Sequence, residues 1–166
     1  MLERIRDVPD YPKPGIVFKD ITPLLADGAA FAAAVRALAH GREGVTKVAG
    51  IEARGFILAA PVAYLLGAGF VPVRKGGKLP TATHEQSFEL EYGEATIEVH
   101  TDALDPGDRV LIVDDVLATG GTAAATAELV KRAGATVTGI IVLLEIGFLG
   151  GRAKLPNLDV RSLLAV

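Results

Sequence analysis

The pattern of apolar and polar positions divides the chain into strands and helices in alternation. Val110-Leu111-Ile112-Val113 is an unbroken apolar run, and a second runs from Val137 to Leu144. Such runs suit strands covered on both faces. Between them, Ala123, Ala127 and Val130 share one stripe, which predicts a helix from about Gly121 to Ala133 with Gly134 as its stop. Earlier, Val45 to Ile51 reads as a strand leading into a helix over about 55–66 that Gly67 ends, followed by a strand at about 70–74. Asp27 is placed to cap a helix carrying Phe31, Val35 and Leu38 on one face, ended by Gly41. Alternating runs at 87–92 and 95–99 straddle Gly93 and predict a hairpin. Residues 9–23, with Pro9, Pro12, Pro14, Gly15 and Pro23, are expected to be irregular but ordered, and 76–86 to be a mobile loop. Strand–helix–strand spacing with buried strands implies an α/β fold, a mainly parallel sheet with helices on both faces. Ligands of such folds sit beyond the carboxyl ends of the strands.

Composition narrows the function. At 166 residues the expectation is a single domain over 1–166. Lys and Arg total 17 against 20 Asp and Glu, a net charge of −3 that offers no long-range attraction to nucleic acid or anionic lipid. An anionic ligand must then be held by local cations and amides. With no cysteine there are no disulfides, thiolate metal sites or thiol nucleophile, which suits a reducing cytoplasm. Met1-Leu2-Glu3-Arg4 carries early charge and no apolar core, so no signal peptide is expected. Residues 55–73 lack charge, but Pro61, Gly67, Gly69 and Pro72 interrupt them, and a soluble helix and strand are expected rather than a membrane span.

The stretch that carries chemistry is Val110 to Thr122. Asp114 and Asp115 follow an apolar strand, where two carboxylates are costly unless they meet a crevice or a ligand. Ionised carboxylates accept hydrogen bonds, as the vicinal hydroxyls of a ribose would offer. Ala118-Thr119-Gly120-Gly121-Thr122 then opens a helix, where amides, two hydroxyls and the helix dipole can surround a phosphate. Sugar diol and sugar phosphate are thereby read a few residues apart. Neither a Walker loop nor a dinucleotide glycine motif is present.

These residues resemble the fingerprint of the type I phosphoribosyltransferases: an apolar strand, two acidic residues and a T-G-G-T-like loop. By that resemblance Asp114 and Asp115 contact the ribose of phosphoribosyl diphosphate, and residues 118–122 hold its 5-phosphate. Further segments extend the likeness over essentially the whole chain, from Pro14-Gly15-Ile16-Val17-Phe18-Lys19-Asp20 through Ile51 to Phe56, Val73 to Pro80, Leu90-Glu91-Tyr92-Gly93 and Gly151-Arg152. They point to the adenine-using branch of the family. What the resemblance implies is an α/β type I fold with a small N-terminal hood and a mobile lid hairpin. The reaction would be transfer of phosphoribosyl to adenine, giving AMP and pyrophosphate, with Mg2+ on the diphosphate and a homodimer as the assembly. Arg54, Arg74 and Lys78 would neutralise the leaving pyrophosphate, with Lys75 as a further contact or a solvated neighbour. Adenine would lie against Phe18, its edge read by backbone groups near Val17, with Lys19 close by. Glu91 would handle a proton on the purine and Tyr92 would help position the closed lid. On pattern alone, Phe18 reads as a core residue and Glu91 as a polar hairpin position. Another purine as acceptor, or a non-catalytic sensor, are the alternative readings. Departures from the family pattern are Ala53, where a serine often stands, the flexible Gly76-Gly77, and the lid sequence 81–86. Glu145, at the end of an apolar strand, is unexplained in this reading, either a structural residue or one near a subunit contact.

Overall fold

A computed structural model of the chain describes residues 1–90 and 93–166. The chain forms two compact units, Met1–Ala37 and Leu38–Val166. In the first, β1 (Arg6–Pro9) and β2 (Val17–Asp20) pair antiparallel, with Val8 opposite Phe18. The segment expected to be irregular thus contains half of a small sheet; at four residues per strand, broken by prolines, its alternation is too short to read. Helix α1 (Thr22–Ala26) follows, with Pro23 in its first turn, where the missing N–H costs nothing. Asp27 then caps α2 (Gly28–Ala39), its Oδ1 accepting the N–H groups of Ala29 and Ala30 at 3.1 and 3.0 Å. Arg4 adds an ion pair to Asp27 at 2.9 Å.

The second unit is built on a seven-stranded sheet of order β5-β6-β4-β3-β7-β8-β9. Its members are β3 (Lys47–Ile51), β4 (Gly69–Lys75), β5 (Thr83–Glu89), β6 (Glu94–His100), β7 (Arg109–Leu117), β8 (Thr136–Glu145) and β9 (Val160–Ala165). The pairs β3–β4, β3–β7, β7–β8 and β8–β9 are parallel, while the β5–β6 hairpin joins β4 antiparallel. The predicted mixed sheet, mainly parallel, is therefore what forms. Alternate residues of the central strands feed opposite faces, as the period of two requires. Ala49, Ile51, Val71, Val73, Val110, Ile112, Ile140 and Val142 pack with Ala123, Ala127, Leu129 and Val130 of α4 (Gly121–Arg132). On the other face α3 (Arg54–Leu66) comes so close that a Cβ on Gly50 would meet Ala59 and Phe70 at 2.7 Å. Each fully buried Leu or Ile of this core stabilises by about 1.5–3 kcal/mol, which outweighs the weak helix propensity of a segment such as α3 with Pro61 inside it.

Two boundaries differ from the expectation, and one strand was not expected. Strand β5 begins at Thr83, so residues 83–86 belong to the hairpin and the loop shrinks to 76–82. These residues are polar because β5 is an edge strand, and polarity there does not signal a loop. Strand β7 runs on to Leu117, placing Asp114 and Asp115 inside the strand rather than after it. The last strand, β9, is short and lies at the other edge, and its pattern gives no clear period. Among the described residues no helix is long and apolar enough to cross a membrane.

Candidate active site

The sheet reverses its winding at β3: β4 lies on one side and β7 on the other. The crevice at such a reversal, beyond the carboxyl ends of the strands, is where ligands of open α/β sheets bind. Here it collects the turn after β3, the loop after β4 and the loop after β7. All three carry residues singled out from the sequence.

The turn after β3 holds Glu52 and Arg54, with a cis peptide between Glu52 and Ala53. Arg54 Nη2 stands 2.8 Å from Asp115 Oδ2. Asp115 is 6% exposed. The buried Oδ2 thus has the Arg54 guanidinium as its charged partner. The neighbouring Asp114 accepts the N–H of Asp115 at 2.8 Å through Oδ1. Burial, and then the charge of Asp115, push the Asp114 carboxyl well above its usual range. Gly55 allows this packing, since a Cβ there would lie 2.7 Å from Asp114 Oδ1.

The loop after β7 leads into a helix N-terminus. Gly120 precedes α4 with φ +78°, and among the described residues no side chain caps the helix. Its first N–H groups are therefore open, and the dipole favours negative charge there. Thr119 is exposed and Thr122 half-buried at the same end. A cleft of about 80 Å³ is lined by Asp114 and residues 116–123. Thr122 also lines a larger cleft of about 520 Å³, which runs along Glu52, Arg74, Lys75, Gly76, Phe88 and Leu90. A cleft of about 490 Å³ between β5, α4 and Pro156 lies away from the acidic pair and the cations.

The loop after β4 is more tightly organised than its glycines suggest. Arg74 binds Glu52 through Nε at 3.3 Å and donates from Nη1 to the Lys78 carbonyl at 3.0 Å. Glu52 also accepts the Lys75 N–H at 2.9 Å, the chief reason its carboxyl is held below the usual range. Beneath the loop, Glu98 on β6 is 2% exposed and accepts the N–H groups of Lys78 and Leu79, both at 2.7 Å. Of the cations expected at the diphosphate, Arg54 and Arg74 thus each face a carboxylate, while Lys75 and Lys78 reach solvent. Glu52 and Glu98 were not singled out from the sequence. Their signal is a carboxylate in an otherwise apolar strand context next to a cationic loop.

In the first unit, Phe18 is half-buried in β2 and meets Tyr11 edge-on, the ring centroids 5.2 Å apart. Val17 is exposed and Lys19 pairs with Asp7 at 2.7 Å. Glu91 and Tyr92 lie outside the described residues.

Residues 19–157 match the phosphoribosyl transferase domain. The chain belongs to that family. Within it the similar proteins are adenine phosphoribosyltransferases. The enzyme of that name from Streptomyces coelicolor is 68% identical over 157 residues, covering 93% of this chain and 86% of its own. The crystal structure of adenine phosphoribosyltransferase from Thermoanaerobacter pseudethanolicus is 52% identical with a TM-score of 0.96, over 99% of this chain and 97% of its own. The Saccharomyces cerevisiae enzyme, complexed with an imino-altritol bisphosphate and adenine, is 37% identical with a TM-score of 0.93, over 98% and 96%.

Proposed function

We infer that this phosphoribosyltransferase joins adenine to phosphoribosyl diphosphate, giving AMP and pyrophosphate. The observation that carries the reading is the junction of two clefts at Thr122: an open helix N-terminus behind an acidic pair on one side, a cationic loop on the other. That order matches a 5-phosphate, a ribose and a diphosphate along one ligand. Adenine as acceptor is supported by the relatives at 68% and 52% identity, both adenine phosphoribosyltransferases. The other purines and a sensor role find no such support.

In the reaction a purine nitrogen attacks the anomeric carbon as the carbon–oxygen bond to pyrophosphate breaks, through a transition state with oxocarbenium character. Residues 118–122 hold the 5-phosphate through amides and hydroxyls. Asp114 and Asp115 accept from the ribose hydroxyls, with Arg54 beside Asp115 keeping that carboxylate charged. Lys75 and Lys78 meet the diphosphate, with Arg54 and Arg74 adding positive field from beside their carboxylates. Phe18 takes the adenine face, Val17 backbone groups read its edge, and Lys19 lies nearby. Glu91 receives the proton that the purine loses, and Tyr92 steadies the closed lid.

Among the described residues no group of three or more acidic or histidine side chains converges. Mg2+ would enter carried by the diphosphate and water, the usual way magnesium meets phosphates. When bound, it would offset charge on the leaving group. The assembly is read as a homodimer, supported by the exposed apolar stripe Ile57, Tyr64 and Leu65 on α3. The absence of cysteine supports a cytoplasmic setting. The test is pyrophosphate release from phosphoribosyl diphosphate with adenine and magnesium present. Release matched by AMP is expected, and tight binding without turnover would overturn the reading.

A further inference from the structure

Glu145 ends β8 directly opposite Leu117, the last residue of β7, and the Ile146 N–H donates to the Leu117 carbonyl at 2.9 Å. Glu145 is therefore one residue from the start of the loop 118–122. The chain then makes two 3₁₀ turns, Gly147–Leu149 and Gly151–Lys154, and returns to that loop from behind. The two backbones lie against each other. A Cβ on Gly120 would run into the Gly151 carbonyl, and one on Gly151 into the Ala118 carbonyl and to 3.1 Å from the Gly120 nitrogen. No side chain fits on either partner.

Arg152 follows Gly151 and reaches back to Glu145 as a fork, Nε to Oε1 and Nη2 to Oε2, both at 2.7 Å. Its Nη1 donates to the Val160 carbonyl at 2.6 Å, and Ser162 Oγ donates to Glu145 Oε2 at 2.8 Å. Two parallel charged hydrogen bonds fix orientation as well as distance, which a single lysine contact does not. Arg152, foremost among these contacts, holds the Glu145 carboxyl below its usual range. We propose that Glu145 and Arg152, with Ser162, form a positioning clamp that presses Gly151 onto residues 118–120 and so sets the shape of the phosphate loop. The clamp touches no ligand. It acts through the backbone that does, and it rests on the assignment of that loop to the 5-phosphate.

An ordinary surface ion pair would leave ligand affinity alone, since such pairs contribute little. The clamp instead makes phosphate affinity depend on the fork. Arg152→Gln should raise the KM for phosphoribosyl diphosphate about tenfold, as for one displaced hydrogen bond in the loop, with the KM for adenine unchanged. Arg152→Lys, which keeps charge without the fork, should fall between parent and Gln. The 31P signal of bound AMP should move in the same order while the melting temperature stays nearly constant. Thr122→Val reports on the site itself. If Thr122→Val weakens AMP and neither Arg152 variant does, the clamp is wrong and the phosphate site stands. If none of the three alters AMP binding, the phosphate lies elsewhere and both ideas fall. A loss spread equally over both substrates and the melting temperature also rejects the clamp, because it marks general destabilisation.

Discussion

At the scale of single residues, Asp114 joins a functional demand to a cost in stability. Burial first, then the charge of Asp115, raise its carboxyl above the usual range. A folded-state pKa above the unfolded value means that the folded protein binds the proton more tightly. That stabilising contribution is complete below the unfolded value, about 4, and is lost as pH rises through the folded one. Asp114→Asn removes the dependence. The variant should therefore melt higher than the parent at pH 8, with the gap closing at low pH. Its turnover should drop about tenfold or more, because a ribose hydroxyl loses a charged acceptor. Thermal melts across pH decide this, and a lower melting temperature at pH 8 would contradict it. Gly120 shows what the sequence alone could not tell. Its pattern explains a close approach to an anion, but the positive φ and the Gly151 carbonyl behind it demand glycine for folding as well. Gly120→Val should fail to fold stably, so Thr119 and Thr122 are the cleaner probes of the phosphate.

At the scale of elements, legibility followed burial. The strands β3, β7 and β8 announce themselves because both faces are covered and every position is apolar, and α4 because its stripe is regular. The edge strands β5 and β9 and the β1–β2 pair were missed wholly or in part, since one side of each is free of the core and polar residues are tolerated there. The acidic pair and the glycine turn that opens α4 stood out in one dimension, being costly or conformationally special residues after an apolar run. The carboxylates that organise the cationic loop did not, because nothing in one dimension pairs Glu98 with residues 78 and 79. Burial alone would raise the Glu98 carboxyl, but N–H groups of Leu79, Gly77 and Lys78 bring it below the ordinary value. A depressed carboxyl contributes stability above its unfolded pKa, about 4.3, and loses it as pH falls through the folded value. Glu98→Ala should cost about 1–3 kcal/mol at pH 7, as buried amides lose their acceptor, and less once the parent's own carboxyl is protonated. Hydrogen exchange should show amides 78 and 79 losing protection. Protection equal to the parent would show that the loop does not rely on Glu98.

At the scale of the whole molecule, the account joins an assembly to a reaction. Tyr64 is 86% exposed on α3, with Ile57 and Leu65 on the same helix. Light scattering should give twice the chain mass, and Tyr64→Glu with Leu65→Glu should shift it towards the single chain. A parent that is monomeric at micromolar concentration would remove the dimer. The reaction is tested most directly by offering adenine, hypoxanthine, guanine and xanthine in turn, with phosphoribosyl diphosphate and magnesium, and measuring nucleotide formed against pyrophosphate released. Adenine should be converted to AMP with one pyrophosphate per nucleotide, and its kcat/KM should exceed that of each other base by at least about 100-fold, the discrimination that a pocket with polar contacts to the base edge can supply. Equal or faster use of hypoxanthine or guanine, or no nucleotide from any base, would contradict the account.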